Sequence, residues 1–61
     1  MRAWMIKNTK RQFYDKKYEV FGGMRDASLF SSRSSAEYEM RIRHLYGCRP
    51  VQVEIKEVED E

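Results

Sequence analysis

Sixty-one residues hold one domain at most, and a chain this short buries only about 60% of the surface that its unfolded form exposes. With 36% charged residues, a net charge of +2 and no apolar run near the roughly 18 residues of a bilayer helix, the composition argues against a membrane span. Cys48 is the single cysteine, so an internal disulfide is excluded, and Met1-Arg2-Ala3-Trp4 leads into strand-like sequence without a signal-peptide core. A cytoplasmic protein is the expectation.

Ala3 to Asn8 predicts a strand with Trp4 and Ile6 on one face and Met5 and Lys7 on the other. Asn8-Thr9-Lys10-Arg11-Gln12 is polar and predicts a turn. Phe13 to Phe21 predicts a second strand, with Asp15-Lys16-Lys17 as a possible interruption and Gly22-Gly23 as the following turn. Ala27-Ser28-Leu29-Phe30 is short and apolar, a brief strand or a buried connector.

A helix is expected over about 35–46. Ser34-Ser35-Ala36-Glu37 has the capping-box pattern, in which a serine oxygen accepts from first-turn amides and the glutamate reaches back. Gly47 suits a left-handed helix terminus, and Pro50 prevents the helix from resuming. Tyr38, Ile42, Leu45 and Tyr46 form a stripe at helical spacing assigned to the core, with Ala36 and Met40 away from it. Glu37–Arg41 and Glu39–Arg43 are favourably ordered i,i+4 pairs. A final strand over about 51–58 follows from the alternation Val51-Gln52-Val53-Glu54-Ile55, and 59–61 reads as a frayed acidic tail. The expected architecture is α+β: a small antiparallel or mixed three-stranded sheet packed on one α-helix, in a single domain spanning 1–61, with the first and last strands paired.

Charge is unevenly placed. Residues 1–25 carry seven bases against two acids, 26–50 four against three, and 51–61 one against five. Such polarity suits an oriented contact with a charged partner, or two ends of the chain lying side by side in a sheet.

Catalytic and metal chemistry find little support. His44 and Cys48 are four apart, but no second pair completes a tetrahedral set. Ser28, Ser31, Ser32, Ser34 and Ser35 lack a nucleophile-elbow context, and hydroxyls there serve loops and caps. No cofactor motif is present, since Gly22-Gly23 is neither a P-loop nor a dinucleotide fingerprint. A non-enzymatic protein is the expectation. Two binding surfaces remain open. Tyr14, Met24, Arg25, Met40, Arg41 and Arg43 have residue types that carry interface energy. Lys10, Arg11, Phe13, Tyr14, Lys16 and Lys17 interleave bases with aromatics, as a surface for phosphates and unpaired bases does. A solvated hairpin with its aromatics turned inward is the commoner use of such a segment.

Four runs carry a family resemblance: Trp4-Met5-Ile6-Lys7-Asn8, Ala27-Ser28-Leu29-Phe30-Ser31-Ser32, Ser35-Ala36-Glu37, and Val53-Glu54-Ile55-Lys56-Glu57-Val58. Together they resemble small bacterial and bacteriophage accessory proteins with a W-x-I-x-N strand, an A-x-x-F-x-S element, an A-E helix and a closing V-E-I-x-E-V strand. The resemblance implies a β-β-α-β-like fold and a phage accessory setting. The basic, aromatic segment 10–18 and the arginine-rich helix depart from that pattern. On these grounds the expected role is to bind and modulate or inhibit a host protein, in host takeover or counter-defence. Nucleic-acid binding through segment 10–18 is the alternative, and a homodimer is a further possibility.

Overall fold

The computed structural model describes residues 1–55. The last part of the expected 51–58 strand, residues 56–58, and the acidic tail 59–61 lie outside them. The elements in order are β1 (Arg2–Lys7), β2 (Phe13–Asp15), β3 (Val20–Gly22), a single 3-10 turn (Met24–Asp26), α1 (Arg33–Ile42) and β4 (Arg49–Glu54). They form one antiparallel four-stranded sheet, ordered β3-β2-β1-β4, with one helix. The fold is α+β, with one strand more than the sequence suggested. The difference arises in Phe13–Phe21: a turn at residues 16–19, where Glu19 takes φ 54°, splits the expected second strand into a hairpin.

β1 is central and does most of the organising. It pairs with β4 along its whole length, from Arg2 opposite Glu54 to Lys7 opposite Arg49, as expected for the first and last strands. On its other side it meets β2 at Lys7–Phe13 and the connector at Trp4–Phe30. Trp4 and Phe30 exchange both backbone hydrogen bonds at 2.8 Å. The Ile55 N–H donates to the Met1 carbonyl at 2.7 Å, which sets the parity of the β1–β4 ladder. Odd residues of β4 therefore bond inward to β1 and even ones point out from the sheet edge. Pro50 falls on an outward position, where its missing N–H removes no ladder bond.

The core lies between α1 and one sheet face. Ile6, Tyr14, Phe30 and Ala36 are buried together, with Trp4, Phe21, Met40, Leu45 and Cys48 packed around them. Tyr14 and Phe21, cross-strand neighbours, stack in a tilted pair at 5.4 Å between ring centroids. Burial of a side chain such as Ile6 contributes about 1.5–3 kcal/mol. Trp4 and Ile6 share the core face as their alternation predicts. Ala3 and Met5 point to the opposite face, where they are also buried, opposite half-buried Val53 and Val51.

The helix is rotated by about half a turn from the expected orientation. Ala36 and Met40 face the core, whereas Tyr38, Ile42 and Tyr46 are exposed (61%, 46% and 85%) and Leu45 alone of the expected stripe packs inward. The reason is steric. Ala36 has so small a side chain that the helix axis can approach Ile6 and Tyr14 closely, and the larger residues then fall outside.

Both helix ends also differ in detail. Ser32, not Ser34 or Ser35, is the N-cap: its oxygen accepts from the Ser35 N–H at 3.1 Å. At the other end the helix stops at Ile42, before Gly47. His44 takes the left-handed position (φ 53°), its N–H donates to the Arg41 carbonyl, and the Leu45 N–H donates to the Met40 carbonyl at 2.9 Å. This is a Schellman closure with histidine in place of glycine, sealed by Met40 and Leu45, which both pack on the core. Gly47 (φ 76°) serves the next turn, leading into β4.

Candidate functional site

The outer face of α1 is the most distinctive surface. Tyr38 and Ile42 are one helical turn apart, and Arg41 is three residues from Tyr38, so the three side chains are neighbours opposite Ala36. All three are exposed. Two large apolar groups beside a guanidinium form the mixture that anchors protein interfaces.

The arginines of the helix divide into two kinds. Arg43 is held: its Nη1 lies 2.8 Å from Glu19 Oε1 and its Nε 3.0 Å from Glu39 Oε2. The hydrogen bond that Arg43 donates to Glu39, with Glu19 adding its charge, pushes the Arg43 guanidinium further up from its already high range. This bridge ties the β2–β3 turn to the helix. The expected Glu39–Arg43 pair is therefore present, while Glu37 pairs with Arg33 at 3.6 Å instead of with Arg41. Arg41 is left on the outer face, and no ion pair among the described residues engages it.

The other residues expected at a protein interface are scattered. Met24 and Arg25 are exposed on the 3-10 turn, which packs against β2. Met40 belongs to the rim of the core. Tyr14 is only 2% exposed and is a core residue, so it cannot contact a partner. Its burial, more than the nearby Glu39, pushes the phenol pKa up from 10.0. Tyr38 and Ile42 were missed as surface residues because helical periodicity identifies a stripe without saying which of two stripes faces inward.

The basic segment 10–18 does not form one cluster. Lys10 and Arg11 lie in the β1–β2 turn, while Lys16 and Lys17 lie in the β2–β3 turn at the other end of β2. Tyr14 is buried between them, and Phe13 is half-buried with Lys7 Nζ 5.7 Å from its ring centre. Lys16 and Lys17 likewise lie over Phe30 and Tyr18. The aromatics expected to stack on bases are thus engaged by the protein's own side chains.

Among the described residues no group of three or more His, Cys, Asp or Glu is placed to hold a metal ion, and no helix is long and apolar enough to cross a membrane. Burial pushes the Cys48 thiol up, away from the thiolate form that a nucleophile needs. Compared with family models, with curated proteins and with solved structures, the chain matches none.

Proposed function

We propose that this chain is a small, non-enzymatic accessory protein of the phage type that binds a host protein in the bacterial cytoplasm and modulates or inhibits it. One observation carries the reading: the helix exposes Tyr38, Ile42 and Arg41 on the face opposite the core, although Ala36 and Met40 already satisfy the sheet. A helix held only for stability needs one apolar stripe, and this helix has two. The second matches the helix-in-groove mode of recognition, with anchors at i, i+3 and i+4. Arg41 would meet an acid at the groove's rim.

The test is affinity capture from bacterial lysate after nuclease treatment, comparing the wild type with Y38A/I42A and with Arg41→Glu. A stoichiometric protein partner that is retained by the wild type and lost by both variants is the expected result, with circular dichroism unchanged. A partner held equally by all three proteins refutes the helix face as the contact. Sedimentation of the purified chain separates this reading from a homodimer formed through the same stripe.

A further inference from the structure

We propose that the end of the sheet where β1 turns into β2 is a binding site for a phosphate group. A concavity of about 400 Å³ opens there, lined by Lys7, Asn8, Thr9, Arg11, Gly47 and Arg49. Three of the six are cations and none is an acid. The three ion pairs among the described residues engage Arg33 and Arg43, and none involves Lys7, Arg11 or Arg49.

The placement of these charges is costly without a ligand. Lys7 and Arg49 stand directly opposite each other in the β1–β4 register, so their side chains leave the same face of the sheet. Like charges directly opposite in an antiparallel pair destabilise it. Arg11 brings a third positive charge to the same hollow. The turn that carries Arg11 is firmly built, because Asn8 Oδ1 accepts from the backbone N–H groups of Lys10 (3.0 Å) and Gln12 (2.8 Å) and Asn8 Nδ2 donates to Gln12 Oε1. The turn therefore holds the backbone of Arg11 in place beside Lys7 and Arg49.

The chemistry selects the ligand. Two guanidinium forks and an ammonium match the several non-bridging oxygens of a phosphate, and the Thr9 hydroxyl adds a neutral donor. A terminal phosphate with two charges, or two adjacent phosphodiesters of a strand, also balances the charge better than a carboxylate does. At Gly47 no atom lies within 4 Å of where a Cβ would stand, so bare backbone forms that wall and leaves room for whatever carries the phosphate. The carrier is either a small molecule, such as a free nucleotide, or the backbone of a single-stranded nucleic acid. This site is separate from the Tyr38–Ile42 face, and each proposal stands or falls without the other.

Amide NMR of the full chain tests it, with inorganic phosphate and a short oligothymidylate as probes at matched ionic strength. Saturable shifts are expected at Lys7, Thr9, Arg11, Gly47 and Arg49. Saturation with inorganic phosphate points to a small-molecule carrier, and saturation with the oligonucleotide alone points to a nucleic-acid backbone, with affinity falling steeply as salt rises. R11Q/R49Q should weaken binding at least about tenfold, since charge-assisted hydrogen bonds are lost. K16Q/K17Q removes the same charge from the distant turn and should weaken it less than about threefold, the part owed to net charge alone. Equal losses in the two variants, or no saturable shift with either probe, would overturn the proposal.

Discussion

Replacing Ile6 by alanine and, separately, Ile42 by alanine removes the same atoms from two very different places. Ile6 is completely buried against Tyr14, Phe30 and Ala36. Its truncation loses the full transfer term and leaves a cavity, at a cost of about 2–5 kcal/mol. A domain of this length is stable by only about 3–9 kcal/mol in total, at roughly 0.05–0.15 kcal/mol per residue. Ile42 retains 46% of its exposure, so its truncation loses part of the transfer term and leaves no cavity. Less than about 1 kcal/mol is expected there. Thermal unfolding followed by circular dichroism and by the fluorescence of Trp4 reads both variants, since about 4–8 °C of Tm accompanies each kcal/mol in a domain this small. Ile6→Ala should lower Tm by at least about 8 °C or abolish the transition, and Ile42→Ala by less than about 8 °C. Equal losses for the two variants would refute the inward placement of Ala36 and Met40.

Ser32→Ala should cost about 1 kcal/mol by removing the N-cap, whereas Ser34→Ala should change Tm little, and urea titration distinguishes them. His44→Gly should be neutral to stabilising by up to about 1 kcal/mol in the same assay, because glycine enters the left-handed region without strain but is freer when unfolded. Alkaline stability should depend on Tyr14. Its folded pKa is raised above the unfolded value near 10.0, so the unfolded chain loses its proton first and stability falls as pH rises beyond that value. Tyr14→Phe should remove that part of the alkaline loss, read as the difference in Tm between neutral and strongly alkaline buffer. If wild type and variant decline in parallel, the phenol is not protected as described.

Strand alternation and turn chemistry carry through to the structure because they are local. Trp4 and Ile6 do share a face, the Asn8–Gln12 turn is a turn, and β1 and β4 do pair. The helix orientation was not legible, for a reason specific to Ala36. A small residue contributes little to an apolar stripe but permits the closest approach, so the tightest contact is marked by the weakest signal. The Schellman closure was hidden in a similar way, since glycine at position 47 draws attention from a histidine that accepts the left-handed conformation three residues earlier. At the candidate sites, residue types were informative and grouping was not. Lys10, Arg11, Lys16 and Lys17 are neighbours in sequence but lie at opposite ends of strand β2, while Arg49 reaches Lys7 and Arg11 only through the long-range pairing of β1 with β4.

That pairing also bears on how the protein is made. β1 is synthesised first, yet one whole edge of it is covered only by β4, with Arg2 opposite Glu54. At about 5–20 residues per second, β1 waits on the order of 2–10 s for its partner strand to be made. Until β4 pairs, that edge of β1 is open, and an unpaired strand edge is a template for any other extended chain. Pairing across such a sequence separation also slows the final closure. Any delay in that closure prolongs the time for which Arg2–Lys7 can pair with the wrong chain.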